Sequence, residues 1–322
     1  MTSVSRWLSV AVAFSAVDEL DAEWVWQDRI PVAELTILAG KGGGGKGLLT
    51  ADLAARITRG EPLPGDDDDG ERRPASVIMV AAEDSSQVVT VGRLKAAGAD
   101  LSRVHDLSMP GGMPFDLGEH IPVLREAIRE LGDCRLVIID PLAAVSPVPL
   151  QSVAKVRGLF RPLQAIAWET GTAILITHHV TKAGVVAGSQ AIRDGVRCVL
   201  TVEADDDDPE VRAVAVAKTN MGSDKVPALR YSVVTDEATG LPHVLYLPAA
   251  GDVPESAQAQ LSVALSRAGG SALSPQQLAA ATGLPYATVR GTVRRMVTAG
   301  LAVSPARGLY AAPGTPGKDG AK

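Results

Sequence analysis

Short apolar runs alternate with longer helical patterns along the first two thirds of the chain. The apolar runs are rich in β-branched residues, and they predict buried strands over residues 35–38, 77–82, 135–140 and 173–177. Apolar positions three and four residues apart predict helices over 48–59, 117–131 and 152–170, with a shorter helix through Arg93 and Lys95. Strands that alternate with helices predict an α/β fold, in which a mainly parallel sheet is covered on both faces.

The pattern changes after Cys198, where strands follow one another without helices. We predict these strands over residues 199–202, 211–218, 229–234 and 244–247, and we expect them to extend the sheet with antiparallel pairs. The predicted organisation is a lead-in over 1–33, an α/β core over 34–248, a linker over 249–256, a small module over 257–312 and a disordered tail over 313–322.

The small module is predicted to hold three helices and a hairpin, over residues 257–268, 274–281, 286–298 and 301–311. This order resembles a winged helix-turn-helix, whose third helix can enter the major groove of DNA. Thr288 and Arg290 would then lie near base edges, and Arg294, Arg295 and Arg307 would meet phosphates. The alternative is a helical module for contacts between subunits.

A glycine-rich loop follows the first predicted strand of the core. Residues 40–47 match the phosphate-binding pattern G-x-x-x-x-G-K-[ST] at every position except the last. In such a loop, backbone N–H groups and the N-terminus of the next helix surround the phosphates, while the lysine reaches the β- and γ-phosphates. The predicted nucleotide-binding residues are Gly40, Lys41, Gly42, Gly43, Gly44, Gly45, Lys46, Gly47 and Leu48.

The mismatch in this loop is Gly47, which stands where a serine or threonine normally ligates Mg²⁺. Thr50 lies one helical turn further on, and we do not expect its hydroxyl to reach the ion. The loop therefore predicts nucleotide binding and leaves open whether the nucleotide is turned over.

Acidic and imidazole side chains follow the ends of the other predicted strands. Asp140 could hold Mg²⁺ through water, or it could be a turn residue before Pro141. Glu83 could activate the attacking water, or it could be a surface acid. Of His178 and His179, one could contact the γ-phosphate while the other is structural.

The distribution of charge along the chain suggests a nucleic-acid partner. Residues 256–322 carry a net charge of +6 within a chain of net charge −6, so an acidic body precedes a basic end, as expected where one end touches nucleic acid. The acidic run at 66–69 is predicted to be a solvated loop. Cys134 and Cys198 are predicted to be buried apolar residues without a disulfide or metal.

The start of the chain could be mistaken for a signal peptide, because residues 7–14 are mostly apolar. Only Arg6 supplies positive charge, and a nucleotide-binding core follows, so we expect a helix packed on the core and a cytoplasmic protein. No apolar run reaches the length of a membrane span.

Together these motifs resemble the RecA-like P-loop ATPases, and most closely the branch of RepA-type hexameric replicative helicases and related AAA family ATPases. The resemblance covers about residues 24–247. Besides the loop, it rests on the Trp24–Pro31 lead-in, Val80–Asp84, Arg93-Leu94, Leu136–Pro141, Ile176–His179, Lys182, Gly188-Ser189, residues 191–194 and Lys218-Thr219-Asn220.

The resemblance implies a RecA-like fold, ATP and Mg²⁺ as cofactors, and an oligomer that could be a hexamer. It implies Glu83 as the catalytic base, Asp140 as the Walker B residue, and His178 or His179 as the phosphate sensor. It also implies that Lys218 completes the site of a neighbouring subunit. Asn220 stands where some relatives place an arginine finger, and Arg212 or Arg230 could take that part.

The leading hypothesis is therefore an oligomeric ATPase that acts with single- or double-stranded DNA, as a helicase-like factor in replication or mobile-element maintenance. The alternative is a DNA-binding regulator that is switched by nucleotide with little or no turnover, which Gly47 motivates. A strand-exchange recombinase is a weaker candidate, since the chain has few aromatic residues for stacking on bases.

Overall fold

Two compact units make up the chain, the first ending at Leu247 and the second beginning at Pro248. The computed structural model describes residues 21–66, 72–82, 89–109, 111, 113–181, 183–204, 211–223, 225–235, 240–247, 257–284, 286–298, 300–306 and 308–313. The expected N-terminal helix, Glu83 and Arg307 lie outside these residues.

The first unit is an α/β structure. Its helices are α1 (Lys46–Arg59), α2 (Val91–Ala96), α3 (Ile121–Leu131), α4 (Leu142–Val145), α5 (Val153–Thr170) and α6 (Gln190–Asp194). Its strands are β1 (Trp24–Trp26), β2 (Ile30–Pro31), β3 (Leu35–Gly40), β4 (Ser76–Ala81), β5 (Val104–Asp106), β6 (Cys134–Asp140), β7 (Ala173–His179), β8 (Cys198–Ala204), β9 (Val211–Thr219), β10 (Leu229–Thr235) and β11 (Pro242–Leu247).

Nine of these strands form one mixed, mostly parallel sheet in the order β11-β10-β9-β8-β3-β7-β6-β4-β5. The six strands from β8 to β5 run parallel, whereas β9, β10 and β11 are added antiparallel. The predicted antiparallel extension is therefore confirmed. The carboxyl ends of β3, β7, β6 and β4 share one edge, where an open α/β sheet places its ligands.

Alternate side chains of the parallel strands enter cores on the two faces of the sheet. Ile37 and Ile139 pack on one face with the apolar side of α5, whereas Leu38 and Ile138 pack on the other face with α1. Strands that are buried on both sides must be apolar along their whole length, which explains why the runs were continuous in the sequence.

Two local predictions need correction, and some short elements were not predicted. The helix expected from residue 117 begins at Ile121, because residues 116–120 form a turn in which Gly118 N–H donates to Asp116 and Pro122 opens the helix. The short elements β5 and α4 were not predicted. Asp66 is not solvated, since its side chain is buried and pairs with Arg72 at 2.7 Å; burial raises the pKa of its carboxyl group.

Both cysteines are buried and free, as predicted. Burial raises the pKa of the Cys134 thiol to about 12 and also raises that of Cys198, so both thiols stay neutral near pH 7. None of the helices in the described ranges is long and apolar enough to cross a membrane.

The second unit has its own small core. Its elements are α7 (Ala257–Arg267), α8 (Pro275–Thr282), α9 (Tyr286–Thr298) and the antiparallel pair β12 (Val303–Ala306) and β13 (Leu309–Ala311). Ser274 caps α8 in a reciprocal pair with Gln277, which agrees with the predicted helix start. The core is formed by Leu261, Ala264, Leu265, Leu278, Val289, Val293, Met296, Ala302 and Tyr310.

Candidate nucleotide site

The glycine loop connects the carboxyl end of β3 to the first residue of α1. Gly45 is the N-cap of α1 and has a φ of 89°, a left-handed conformation that a residue with a Cβ adopts only with strain. The backbone then turns sharply, with the Leu48 and Leu49 N–H groups both donating to the Gly45 carbonyl. The loop thus presents the positive end of α1 at the ligand-binding edge of the sheet.

Lys46 is folded back over this loop. Its side chain is 7% exposed, and its ammonium group donates to the carbonyl oxygens of Gly40 and Lys41, both at 3.0 Å. Held in this way, the ammonium group of Lys46 lies against the loop, where the phosphates of a nucleotide would lie.

Asp140 lies at the end of β6, beside the end of β7. Thr177 donates a hydrogen bond from its hydroxyl to the carboxylate of Asp140, across these two strands. The register of β4 and β6 places Ala81 opposite Asp140. Asp140 is therefore held in place by a neighbouring strand, as expected of a carboxylate at a functional edge. Sequence reasoning gave Asp140 a role, and it included Thr177 in the resemblance without giving it one.

The two predicted histidines occupy different environments. His178 is 2% exposed, and its Nε2 lies 2.8 Å from the carbonyl of Ala187, so Nε2 carries the proton and donates. Burial lowers the pKa of this imidazole; the Ala187 carbonyl raises it, and His179 and Lys46 lower it again. His179 is half-buried and level with Gly40 in the register of β3 and β7.

Gly47 leaves room for an arginine. A Cβ placed on Gly47 would lie 2.7 Å from Nη1 of Arg93 and 3.7 Å from Oδ2 of Asp140. These three residues, with Thr50 and Thr90, line a cavity of about 40 Å³. The guanidinium of Arg93 therefore lies where a side chain at position 47 would stand, beside the carboxylate of Asp140.

The residues around this cavity do not make a site for free Mg²⁺. Gly47 brings no ligand, and the Thr50 hydroxyl donates to the Gly47 carbonyl at 3.2 Å. Within the described residues, no group of three His, Cys, Asp or Glu side chains could hold a metal ion. The carboxylate of Asp140 fits a water-mediated contact to an ion that arrives on nucleotide phosphates, the usual way in which Mg²⁺ is bound beside nucleotides.

Tyr231 and Arg212 cover the other side of the loop. They are directly opposite each other in the register of β9 and β10. A Cβ on Gly45 would lie 3.1 Å from the hydroxyl of Tyr231 and 3.9 Å from Cγ of Arg212. Tyr231 is completely buried, and its hydroxyl has no hydrogen-bond partner among the described residues. Sequence reasoning offered Arg212 as an arginine finger and missed Tyr231.

Lys218 lies away from this edge within its own subunit. It pairs with Val199, and its ammonium group donates to the carbonyls of Arg193 and Val196, at 2.8 and 2.9 Å. The structure therefore brings together the loop, Lys46, Asp140 and the histidines, and does not bring Lys218 to them. Glu83 comes two residues after the end of β4 in the sequence and lies outside the described residues.

In the second unit, four of the five residues predicted to contact DNA share one helix, and the fifth, Arg307, lies outside the described residues. Thr288, Arg290, Arg294 and Arg295 are exposed on α9, whereas Val289, Val293 and Met296 are buried. Arg290 lies over the ring of Tyr286 at 5.8 Å, and Arg295 donates to Thr292 at 3.0 Å. The helix thus presents three cationic side chains on its solvent face.

A family model described as an AAA domain matches residues 3–185, which is more than half of the chain and includes the loop, Arg93, Asp140 and both histidines. The chain belongs to the AAA domain family. A comparison with curated proteins gave no match. AAA domains of this type are P-loop ATPases that generally bind ATP with Mg²⁺, so the match indicates nucleotide-binding ATPase activity.

Proposed function

We propose that this AAA domain protein is an ATP-hydrolysing factor that acts with DNA, in replication or in the maintenance of mobile elements. The observation that carries the proposal is the shared edge at which Lys46, the Thr177–Asp140 pair and the positive end of α1 converge. These groups supply the positive charge and the fixed carboxylate that phosphoryl transfer requires.

Each group has a defined part in the proposed reaction. Lys46 would move from the carbonyls of Gly40 and Lys41 to the β- and γ-phosphates. Mg²⁺ carried by the phosphates would neutralise charge, with Asp140 as its water-mediated partner. Glu83 would deprotonate the attacking water. His179 is favoured as the phosphate sensor, because His178 is buried with its Nε2–H committed to the Ala187 carbonyl.

The oligomer and the helicase-like role rest on the resemblance to RepA-type hexameric helicases. In that arrangement ATP would lie between subunits, and Lys218 would serve the site of a neighbour. The second unit would be a winged helix-turn-helix whose α9 contacts DNA through Arg290, Arg294 and Arg295, with Arg307 also meeting the backbone. Support for the DNA contact comes from the exposure of the α9 arginines and the basic charge of the C-terminal region.

Phosphate release by the purified full chain, with and without single- and double-stranded DNA, tests the proposal. Wild type should hydrolyse ATP, DNA should change the rate, and Lys46→Ala should abolish release. Lys155→Ala, on the exposed side of α5, makes the same charge change away from the loop and should behave as wild type. Phosphate release by Lys46→Ala at the wild-type rate would contradict the proposal.

A second function is favoured by the contact between Gly47 and Arg93. Without a hydroxyl at position 47, the protein could retain ATP with little turnover and act as a nucleotide-switched DNA-binding regulator. Nucleotide measured in the purified protein separates the two functions. ATP that copurifies and is not converted to ADP supports the regulator, whereas multiple turnovers support the ATPase.

A further inference from the structure

The position normally filled by the hydroxyl side chain of a phosphate loop is filled here by an arginine from another helix. Arg93 belongs to α2, and its Nη1 and Cζ lie 2.7 and 3.3 Å from the point where a Cβ on Gly47 would stand. A serine or threonine at position 47 would therefore compete with the guanidinium for the same space. The glycine is the residue that permits this arrangement.

The charge at this position also differs from that of an ordinary loop. A guanidinium is a cation with five N–H donors, and its planar fork binds phosphate oxygens in pairs. It stands next to Asp140, the carboxylate that would otherwise face Mg²⁺ through water. A divalent cation entering the same cavity would meet a like charge in a space of about 40 Å³.

We propose that Arg93 supplies the counter-charge that Mg²⁺ normally supplies for nucleotide binding, so that the chain can bind ATP without a metal ion, while Mg²⁺ carried by the phosphates still serves hydrolysis. The inference concerns the binding step and rests on the proposed nucleotide site. Lys46 and the positive end of α1 contribute the remaining positive charge, and neither depends on a metal. Gly47 and Arg93 thus act together, because the glycine leaves the space that the guanidinium group occupies.

Equilibrium binding of a fluorescent ATP analogue to the full chain, in excess EDTA and in excess Mg²⁺, tests the proposal without measuring turnover. For wild type, the dissociation constants in the two media should differ by less than about threefold. Arg93→Gln should weaken binding in EDTA by about tenfold or more, which is the size expected for a charge-assisted hydrogen bond. The same variant should regain affinity when Mg²⁺ is added.

Matched variants distinguish the effect of the Arg93 charge from the effect of the space left by Gly47. Lys95→Gln removes one exposed positive charge from the same helix and should bind as wild type in both media. Gly47→Ala adds a Cβ that displaces the guanidinium without supplying a hydroxyl, so binding in EDTA should weaken. Gly47→Ser displaces it and adds a ligand, so binding should become dependent on Mg²⁺.

The outcomes distinguish this inference from the proposed function. Wild type that binds in Mg²⁺ and loses about a hundredfold in EDTA overturns the inference alone. Wild type that binds in neither medium overturns the nucleotide site as well. Arg93→Lys, which keeps the charge and loses the planar fork, should bind in EDTA more tightly than Arg93→Gln. Equal affinities for Arg93→Gln and wild type in EDTA, with both proteins folded by circular dichroism, also overturn it.

Discussion

The hydroxyl of Tyr231 lies 3.1 Å from the point where a Cβ on Gly45 would stand. Tyr231 lies on β10, one of the antiparallel strands that follow the parallel strands in the chain. Gly45 is the N-cap of the loop helix. Burial raises the pKa of this tyrosine, so its hydroxyl stays protonated and able to donate. A buried donor without a partner therefore stands beside the loop that is predicted to hold phosphates.

Tyr231→Phe should weaken ATP binding by about tenfold, because a hydrogen bond to a charged phosphate would be lost. The same change should leave the free energy of unfolding equal or higher, since the buried hydroxyl has no partner in the described structure. Its neighbour Tyr246 gives the matched control, because its hydroxyl donates to Asp52 at 2.9 Å. Tyr246→Phe should lower the free energy of unfolding by about 1 kcal/mol and leave ATP affinity near wild type.

Binding titrations and urea unfolding of both variants check this pair. The decisive comparison is that Tyr231→Phe should lose ATP affinity without losing stability, whereas Tyr246→Phe should lose stability without losing ATP affinity. Wild-type ATP affinity in Tyr231→Phe would show that its hydroxyl does not serve the nucleotide.

Thr177→Val should slow phosphate release by about tenfold or more, because the carboxylate of Asp140 loses the donor that orients it. The maximal rate should fall more than the affinity for ATP, since Thr177 acts through Asp140. Steady-state kinetics with circular dichroism measure both effects.

Thr36→Val is the control for this substitution. Thr36 is also a fully buried threonine on a neighbouring strand, but its hydroxyl has no hydrogen-bond partner among the described residues. Its replacement should leave the rate unchanged and the stability equal or higher. A Thr177→Val enzyme that is as fast as wild type would contradict the positioning role.

The stability of the first unit should fall on acidification, in part through His178. Burial lowers the pKa of this imidazole in the folded state, so the unfolded chain binds a proton more readily below its ordinary pKa of about 6.5. The free energy of unfolding that depends on neutral His178 is thus fully present above a pH of about 6.5 and is lost as the pH falls below it. Urea unfolding at about pH 7.5 and about pH 5.5 measures the difference.

His178→Gln should make that difference smaller, because a glutamine amide can still donate to Ala187 and does not titrate. Other groups that titrate in the same range remain in both proteins, so the comparison isolates the imidazole. An equal loss of stability in the two proteins would exclude His178 as a source.

Arg294→Ala and Arg295→Ala should each weaken DNA binding by a similar factor for different DNA sequences. Each change should also reduce the slope of log affinity against log salt by about one, as expected when a phosphate contact is removed. Arg267→Ala, in the last turn of α7, removes an equal charge from the same unit and should change the slope less. Binding measured over a range of salt concentrations decides between these outcomes, and equal slopes for all three variants would indicate only a general charge effect.

Most of the fold was predictable because the strands and helices have strong periodic signals. The near-continuous apolar run at 135–140 is short and ends at Asp140-Pro141, which favours a strand buried on both faces, and this strand is β6. The short elements α4 and β5 were missed, since four and three residues carry too little periodicity. Asp66 was misjudged because its sequence neighbours are acidic, whereas its actual partner, Arg72, is placed by the fold.

The site was predictable where it is local in sequence. The glycine loop and the strand-end Asp140 have defined patterns, and the sheet brings them to one edge. Tyr231 and Arg93 reach the loop only through tertiary structure, so the spacing of residues in the sequence could not predict their contacts with it. The glycine at position 47 was the one sequence signal for Arg93. It leaves a space beside the carboxylate of Asp140, and such a space favours a positively charged side chain.

The bond between Tyr246 and Asp52 has a mechanical consequence. Asp52 belongs to the helix that begins at Lys46, and Tyr246 is the penultimate residue of β11, immediately before the chain leaves the first unit. A pull on the chain beyond Leu247 would therefore act on the helix of the phosphate loop through Tyr246, whose hydroxyl donates to Asp52 and whose ring lies 5.4 Å from the guanidinium of Arg56. The C-terminal end of β11 is accordingly a place where tension on the chain would reach both the sheet, through its pairing with β10, and the loop helix.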